Sequence, residues 1–391
     1  MDHFDIVIVG GAVTGSSVAY HLAADPDFTG RILVLERDPS YQTCASALSA
    51  ASIRQQYSTA INVAISLHGI AFLRRIGEHL AVDGERPEIG LHEGGYLFLA
   101  TGGGRGVLEE NHKVQIAGGA DILFLEPADL AARFPWLRMD DLAAGTWGRS
   151  GEGWFDGYGL MQAFRRKARS LGVTYRAASA AGFEREGRRL TRVQLDDGTS
   201  VACGAVVNAA GSGGPEVARA AGVEIPVHIK KRMIFTFTSA DPVPGCPLLI
   251  DPTGVYVRPE GAGFLCGSSP PAGQDPDSRD FEVDYGFFDE AIWPVLAHRI
   301  PAFERIRPGR AWAGHYDMNV FDHNAFVGPV PELDNFYLAN GFSGHGLQQA
   351  PAIGRGLAEF ILHGSYRTLD LAPLAFARLR EGRPLVERNV V

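Results

Sequence analysis

The 391-residue sequence predicts an α/β fold: a Rossmann-type dinucleotide-binding unit interleaved with a second, strand-rich unit. Three observations predict it. The N-terminus reads strand, glycine turn, helix, strand, which is one βαβ unit. Two later apolar runs, 205–211 and 336–339, repeat the style of a buried parallel strand and run into glycine. No linker rich in Pro, Ser or charge divides the chain, so the two styles alternate rather than forming separate beads. At roughly 150 residues per domain, the length suits two or three domains.

The elements follow in order. Residues 4–9 are a nearly continuous apolar run rich in β-branched side chains, as a strand buried on both faces requires. Residues 10–15 are the turn, and 16–24 a helix with Val18, Ala19 and Leu22 on one side. Residues 31–35 are the second strand, ending at Glu36. A loop of small residues, 43–52, leads to a helical stretch, 58–80, in which Ile61, Ile65, His68, Phe72 and Ile76 recur at spacings of three and four. Residues 94–99 read as a strand, 160–171 as a helix with a basic face, and 191–198 as a hairpin turning at Asp196-Asp197-Gly198. From about 224 to 315 strands dominate, and a last helix is expected over 350–362.

Composition excludes several classes. Hydrophobic residues are 46% and charged residues 21%, as in an ordinary globular protein. A net charge of -9 argues against a general nucleic-acid binder. Cys44, Cys203, Cys246 and Cys266 are far apart, with no C-x-x-C and no zinc spacing, so neither a disulfide framework nor a metal site is expected. No run approaches the ~20 apolar residues of a membrane span, and the N-terminus lacks a basic signal region. The expectation is no membrane span and a reducing, cytoplasmic compartment.

The turn Gly10-Gly11-Ala12-Val13-Thr14-Gly15 is a G-x-A-x-x-G form of the dinucleotide fingerprint. The first Gly makes the tight turn, the second position faces the pyrophosphate, and the third lets helix and strand pack closely. The helix N-terminus presents unpaired N–H groups to phosphate. The acidic residue that takes ribose hydroxyls falls at Glu36, followed by Arg37. The fingerprint alone does not decide between FAD and NAD.

Three more segments decide it: 46–57 (SALSAASIRQQY), 206–211 (VVNAAG) and 341–351 (GFSGHGLQQAP). In this order, with the fingerprint, the chain resembles the D-amino acid oxidase/sarcosine oxidase family of FAD enzymes, over essentially its whole length. It is most similar to a subgroup that includes a mitochondrial assembly factor. The resemblance implies a glutathione-reductase-like FAD domain (1–80, 145–222 and 322–391) with an interleaved mixed-sheet substrate domain (81–144 and 223–321). It implies that Ser46, Ser49, Ala50, Ala51 and Ser52 run along the flavin and pyrophosphate. It places Ala180 on the adenine, Ala209, Ala210 and Gly211 near the nucleotide, and Gly314 and Gly344-His345-Gly346-Leu347-Gln348 around the flavin.

Departures from the family also carry expectations. Sarcosine oxidases hold flavin through a Cys; His315 falls near that position here, so FAD is expected to be non-covalent. Leu265 takes the place of the oxidases' oxygen-activating Lys, which leans towards a dehydrogenase. Gln348 and Tyr316 replace family residues that hold the substrate carboxylate. Arg54 and Arg258 are therefore the candidate cations, Arg258 on the argument that it shares a strand face with Tyr256. For Arg54 the alternative is a helix-capping or phosphate-facing role, and for Arg258 a solvent-facing one. Tyr256 and Tyr316 are candidates for holding an amine, or else buried structural residues. His345 is a candidate for flavin contact; His315 and His323 are weaker ones.

The sequence thus reads as an FAD-dependent oxidoreductase that oxidises the C–N bond of a small amine or amino acid, N-alkyl or D-type, by hydride transfer to flavin N5. The electrons would leave to oxygen slowly, or to a quinone or redox partner protein. The alternatives are an FAD-containing assembly or scaffold protein, or one subunit of a hetero-oligomeric amine dehydrogenase.

Overall fold

The computed structural model describes residues 3–271 and 273–390. Strand β1 (His3–Val9) lies parallel to β2 (Ile32–Glu36) on one side and to Ser200–Asn208 on the other. Helix α1 (Val13–Ala24) makes the crossover from β1 to β2. Thr174–Ala177 extends the parallel order beyond β2, and Phe336–Asn340 extends it beyond Ser200–Asn208. Phe326–Pro329, Arg189–Leu195 and Ala180–Glu186 complete this eight-stranded sheet with antiparallel pairings.

The apolar run at residues 6–9 of β1 has a packing cause. Val7 and Val9 feed one core, with Leu33, Leu35 and Val206, while Ile6 and Ile8 feed another, with Val18, Leu22 and Val34. Alternate side chains point to opposite faces. Over residues 6–9, where both faces are covered, the strand has no position for a polar residue; Asp5, nearer its start, accepts the Arg31 amide.

The second sheet also has eight strands, in the order Ile306–Asn319, Val227–Ser239, Gly263–Gly267, Tyr256–Glu260, Leu248–Ile250, Tyr96–Thr101, Leu142–Gly148, Ile122–Leu125. Leu248–Ile250 and Tyr96–Thr101 pair in parallel and the others antiparallel, so the sheet is mixed. One of its faces packs on Phe288, Leu296, Ile300 and Phe303. The other fronts the first sheet.

Three expected boundaries move. Leu142–Gly148 belongs entirely to the second sheet, so a unit boundary at 144/145 would cut a strand. Its small residues carry no strand signature; pairing on both edges makes it a strand. The helix expected over 58–80 breaks at Arg75 into Ala60–Arg74 and Ile76–His79. The last helix starts four residues sooner than expected, spanning Gly346–His363 with Pro351 inside it. Local propensity argues against helix at Gly346 and Pro351, but packing against α1 overrides it.

Candidate active site

A cavity of about 310 Å³ opens at the carboxyl end of β1, between the two sheets. Gly10 turns the chain there with φ +99°, where a Cβ would collide with the Ala209 carbonyl. Ala12, in extended conformation, caps α1, and Ala12, Val13 and Thr14 line the cavity. Glu36 is fixed by two amides, Gly11 N–H on Oε2 at 2.8 Å and Asp38 N–H on Oε1 at 2.9 Å. Each oxygen keeps a lone pair for a further donor such as a sugar hydroxyl. Arg37, Ala180, Ala209, Ala210 and Gly211 complete this end.

At the other end the loop through Ser46, Ser49 and Ala50 forms one wall. The second sheet holds this loop by its carbonyls. Trp312 Nε1 donates to Leu48 O at 2.9 Å, and Arg258 donates to Ala50 O from Nη2 at 2.8 Å and from Nε at 3.2 Å. Gly344, Gly346 and Leu347 form the facing wall, at the N-terminus of the 18-residue helix Gly346–His363. Its first N–H groups and its dipole favour negative charge there. Gly344 has φ +90°, and a Cβ on it would run into the Tyr316 ring. Asp317, which also lines the cavity, accepts the Gly341 amide at 2.8 Å, and burial pushes its carboxyl up to about 6.

A second, smaller chamber adjoins the first. Ser49, Ala50, Tyr256, Tyr316, Gly344 and Leu347 line both, and Arg54, Tyr96, Leu248, His345 and Gln348 line the small one alone. Arg54 is 3% exposed. Its guanidinium lies over Tyr57 at 4.7 Å, Phe98 at 5.6 Å and Tyr96 at 5.7 Å. Nε donates to Gln56 O at 3.3 Å, and Nη2 to His345 Nε2 at 3.2 Å and to Asn389 O. No carboxylate of the described residues lies within 4.0 Å of it. Because Arg only donates, His345 Nε2 must be the acceptor, which puts the ring proton on Nδ1. Burial, with Arg54 and His323 nearby, holds His345 neutral. Burial also raises the Tyr256 and Tyr316 phenols, and neither hydroxyl has a protein hydrogen-bond partner among the described residues.

The cleft has the length, the glycine turn and the acidic sugar-binding residue of a dinucleotide site, with a helix N-terminus facing a ring-sized space. The family profile described as FAD dependent oxidoreductase matches residues 5–360. The chain belongs to the FAD-dependent oxidoreductase family. It is 41% identical over 422 residues to the FAD-dependent oxidoreductase domain-containing protein 1 of Xenopus laevis, covering 99% of this chain and 85% of the relative. It is 26% identical to the human mitochondrial dimethylglycine dehydrogenase, over 96% of this chain and 45% of that protein. Among solved structures, L-proline dehydrogenase from P. horikoshii shares the fold with a TM-score of 0.86 and 24% identity, covering 98% of this chain and 99% of that one.

The residues fit FAD. The fingerprint, Glu36 and Ala209–Gly211 would hold the dinucleotide, and the 46–50 loop with Gly344 and Leu347 would flank the flavin. Gly11 and Gly15 act behind the wall: Gly11 orients Glu36, and Gly15 admits the Gly10 carbonyl between helix and strand. Ala51, Ser52, His345 and Gln348, expected along the FAD, line the small chamber instead. Gln348 Oε1 accepts the Arg54 amide at 3.0 Å, so it anchors Arg54's backbone. Gly314 and His315 line the FAD cavity, and His315 Nε2 meets Asp280 O at 2.9 Å.

Arg258 corrects the sequence reading. It lines neither space; Ala50 O, Pro259 O and the Glu260 carboxylate use its donors. Strand alternation gave the right face, but the side chain ends on the cofactor loop rather than in the chamber. Leu265, opposite Arg258 across the strand pair, shares that face and stops short of the cavity wall.

Sequence reasoning missed four groups. Arg232 lines the FAD cavity, paired with both oxygens of Asp275 at 2.8 Å and with its Nε unpartnered among the described residues. Trp312 latches the loop. Buried Glu152 accepts the Gln55 and Gln56 amides at 2.5 and 3.1 Å and Gln56 Nε2 at 2.8 Å, fixing the segment after Arg54. Glu387 and Asn389 reach the same segment from the end of the chain. Only Trp312 stands near residues that drew notice, Gly314 to Tyr316; the others carry no local signal.

Proposed function

We propose that this FAD-dependent oxidoreductase oxidises the C–N bond of a small amino acid or N-alkyl amino acid that carries a carboxylate. One observation carries the reading: Arg54 is a buried cation without a carboxylate partner among the described residues, facing a chamber that shares a wall with the FAD cavity. An uncompensated buried charge costs several kcal/mol, and an anionic substrate group removes that cost. The chamber is small, about 40 Å³, which suits a short side chain. The names of the compared proteins, dimethylglycine dehydrogenase and L-proline dehydrogenase, fit a substrate of this kind.

Bound FAD supplies the two-electron acceptor. Arg54 binds the carboxylate and so orients the substrate's C–N bond towards the shared wall. The Tyr256 and Tyr316 hydroxyls, both held protonated, hydrogen-bond the amine. His345, neutral and accepting from Arg54, orients that guanidinium and moves no proton. No base is required when the amine enters neutral. Leu265, at the place of the oxidases' Lys, supports a dehydrogenase that passes electrons to a quinone or redox partner rather than rapidly to oxygen.

The test is an anaerobic visible titration of the FAD-loaded protein with glycine, N-methylglycine, N,N-dimethylglycine, proline and D-amino acids. Bleaching by a carboxylate-bearing amine, lost in Arg54→Met, supports the reading. A yellow protein that none of these bleaches favours the scaffold or missing-subunit alternatives. Slow return of colour in air identifies a dehydrogenase.

A further inference from the structure

Arg54 is backed by residues 385–389, and this strap is pinned along its whole length. Leu385 N–H donates to Asp322 Oδ2 at 3.0 Å, and Glu387 N–H to Asp322 O at 3.0 Å. The Glu387 carboxylate is fully buried and has no cation partner among the described residues. It accepts Ser58 N–H at 2.8 Å, Ser58 Oγ at 2.7 Å, Thr59 Oγ1 at 2.9 Å and Asn62 Nδ2 at 3.0 Å. Those donors sit just before and inside the first turn of the helix Ala60–Arg74. Asn389 then closes on the chamber's back wall. Its N–H returns to Glu387 at 3.0 Å, its Nδ2 donates to Gln56 O at 3.0 Å, and Asn111 Nδ2 donates to its Oδ1 at 3.0 Å. Its carbonyl accepts Arg54 Nη2.

We propose that residues 385–389 are a positioning strap for substrate binding: Glu387 anchors them, and the Asn389 carbonyl holds the Arg54 guanidinium at the angle that receives a carboxylate. The geometry argues for it in two ways. A guanidinium stacked among aromatic rings has attractive but poorly directional contacts, so its rotation is set by its hydrogen bonds. Its three acceptors are Gln56 O, His345 Nε2 and Asn389 O, and Asn389 also binds Gln56. The strap therefore fixes two of the three. It lies behind Arg54 and lines neither cavity, so it acts through Arg54 and not by touching substrate.

The inference rests on the reading of Arg54 above, and the experiment separates the two. Propionate is titrated into the FAD-loaded protein and followed by the flavin difference spectrum. Asn389→Pro removes the N–H, both side-chain bonds and the carbonyl's placement; Asn389→Ala keeps the backbone groups. The expected result is a propionate Kd raised about tenfold in N389P and less than threefold in N389A, with the FAD Kd unchanged in both. If N389P does not fold, Glu387→Gln, which turns an amide NH2 on a ring of donors, is expected to raise the propionate Kd severalfold. A propionate Kd within twofold of wild type in N389P, or in E387Q where that substitutes, overturns the strap while Arg54→Met still abolishes binding. Wild-type binding in R54M overturns the carboxylate reading, and the strap's role with it.

Discussion

Gly10 and Ala12 sit two residues apart and face opposite demands. A side chain at 10 has both φ +99° and the Ala209 carbonyl against it, whereas the methyl group at 12 only borders the cavity. Gly10→Ala is expected to cost about 1–3 kcal/mol in backbone strain alone, and to yield protein whose ratio of flavin to protein absorbance falls at least tenfold. Ala12→Gly is expected to leave that ratio unchanged. Glu152 sets a pH dependence. Burial raises its carboxyl from 4.5 to about 7, against the pull of the amides of residues 55 and 56. The folded state thus favours the protonated form: the stabilisation is complete below pH 4.5 and lost as pH rises through 7. At ~1.4 kcal/mol per pKa unit the loss is on the order of 3 kcal/mol. Urea midpoints at pH 5 and pH 8 measure it, and Glu152→Gln is expected to flatten the difference.

Among elements, the cofactor loop is the one whose placement depends on another sheet. Trp312 and Arg258 hold the Leu48 and Ala50 carbonyls of it from the second sheet. Arg258→Met leaves the chamber's lining intact, so it is expected to raise the FAD Kd about tenfold while the propionate Kd of saturated protein stays within threefold. Fluorescence titration of the apoprotein reads the first number. The outcome separates a loop latch from the substrate cation that strand alternation suggested. Strands and turns were legible because β1 and β2 are buried on both faces and their composition records it. Arg54 was legible because it directly follows the small-residue loop. The groups that hold Arg54 and the segment after it were not: Asn389 lies 335 residues from Arg54, and Glu152 lies 97 from the amide of Gln55. Neither carries a periodicity or motif, and tertiary folding alone brings them together. Arg258 was half legible, since alternation states a face and says nothing of where a long side chain ends.

For the whole molecule, the binding of FAD is a folding term. The cavity lies between two sheets, and the bonds that join them beside it include those to the cofactor loop's two carbonyls and the Gly341–Asp317 hydrogen bond. A ligand that binds only the folded state at 100 times its Kd adds about 2.7 kcal/mol to stability. Saturating FAD is therefore expected to raise the melting temperature by several degrees. The gain should be smaller in R258M than in wild type at equal FAD concentration.

The shared lining of the two spaces has a thermodynamic consequence. Ser49, Ala50, Tyr256, Tyr316, Gly344 and Leu347 serve both FAD and whatever enters the chamber, so ordering them for one ligand lowers the cost for the other. Linkage makes the effect reciprocal: the factor by which FAD tightens a carboxylate is the factor by which the carboxylate tightens FAD. A cell holding little substrate would then hold this protein partly without its flavin, and rising substrate would recruit the cofactor along with the reaction.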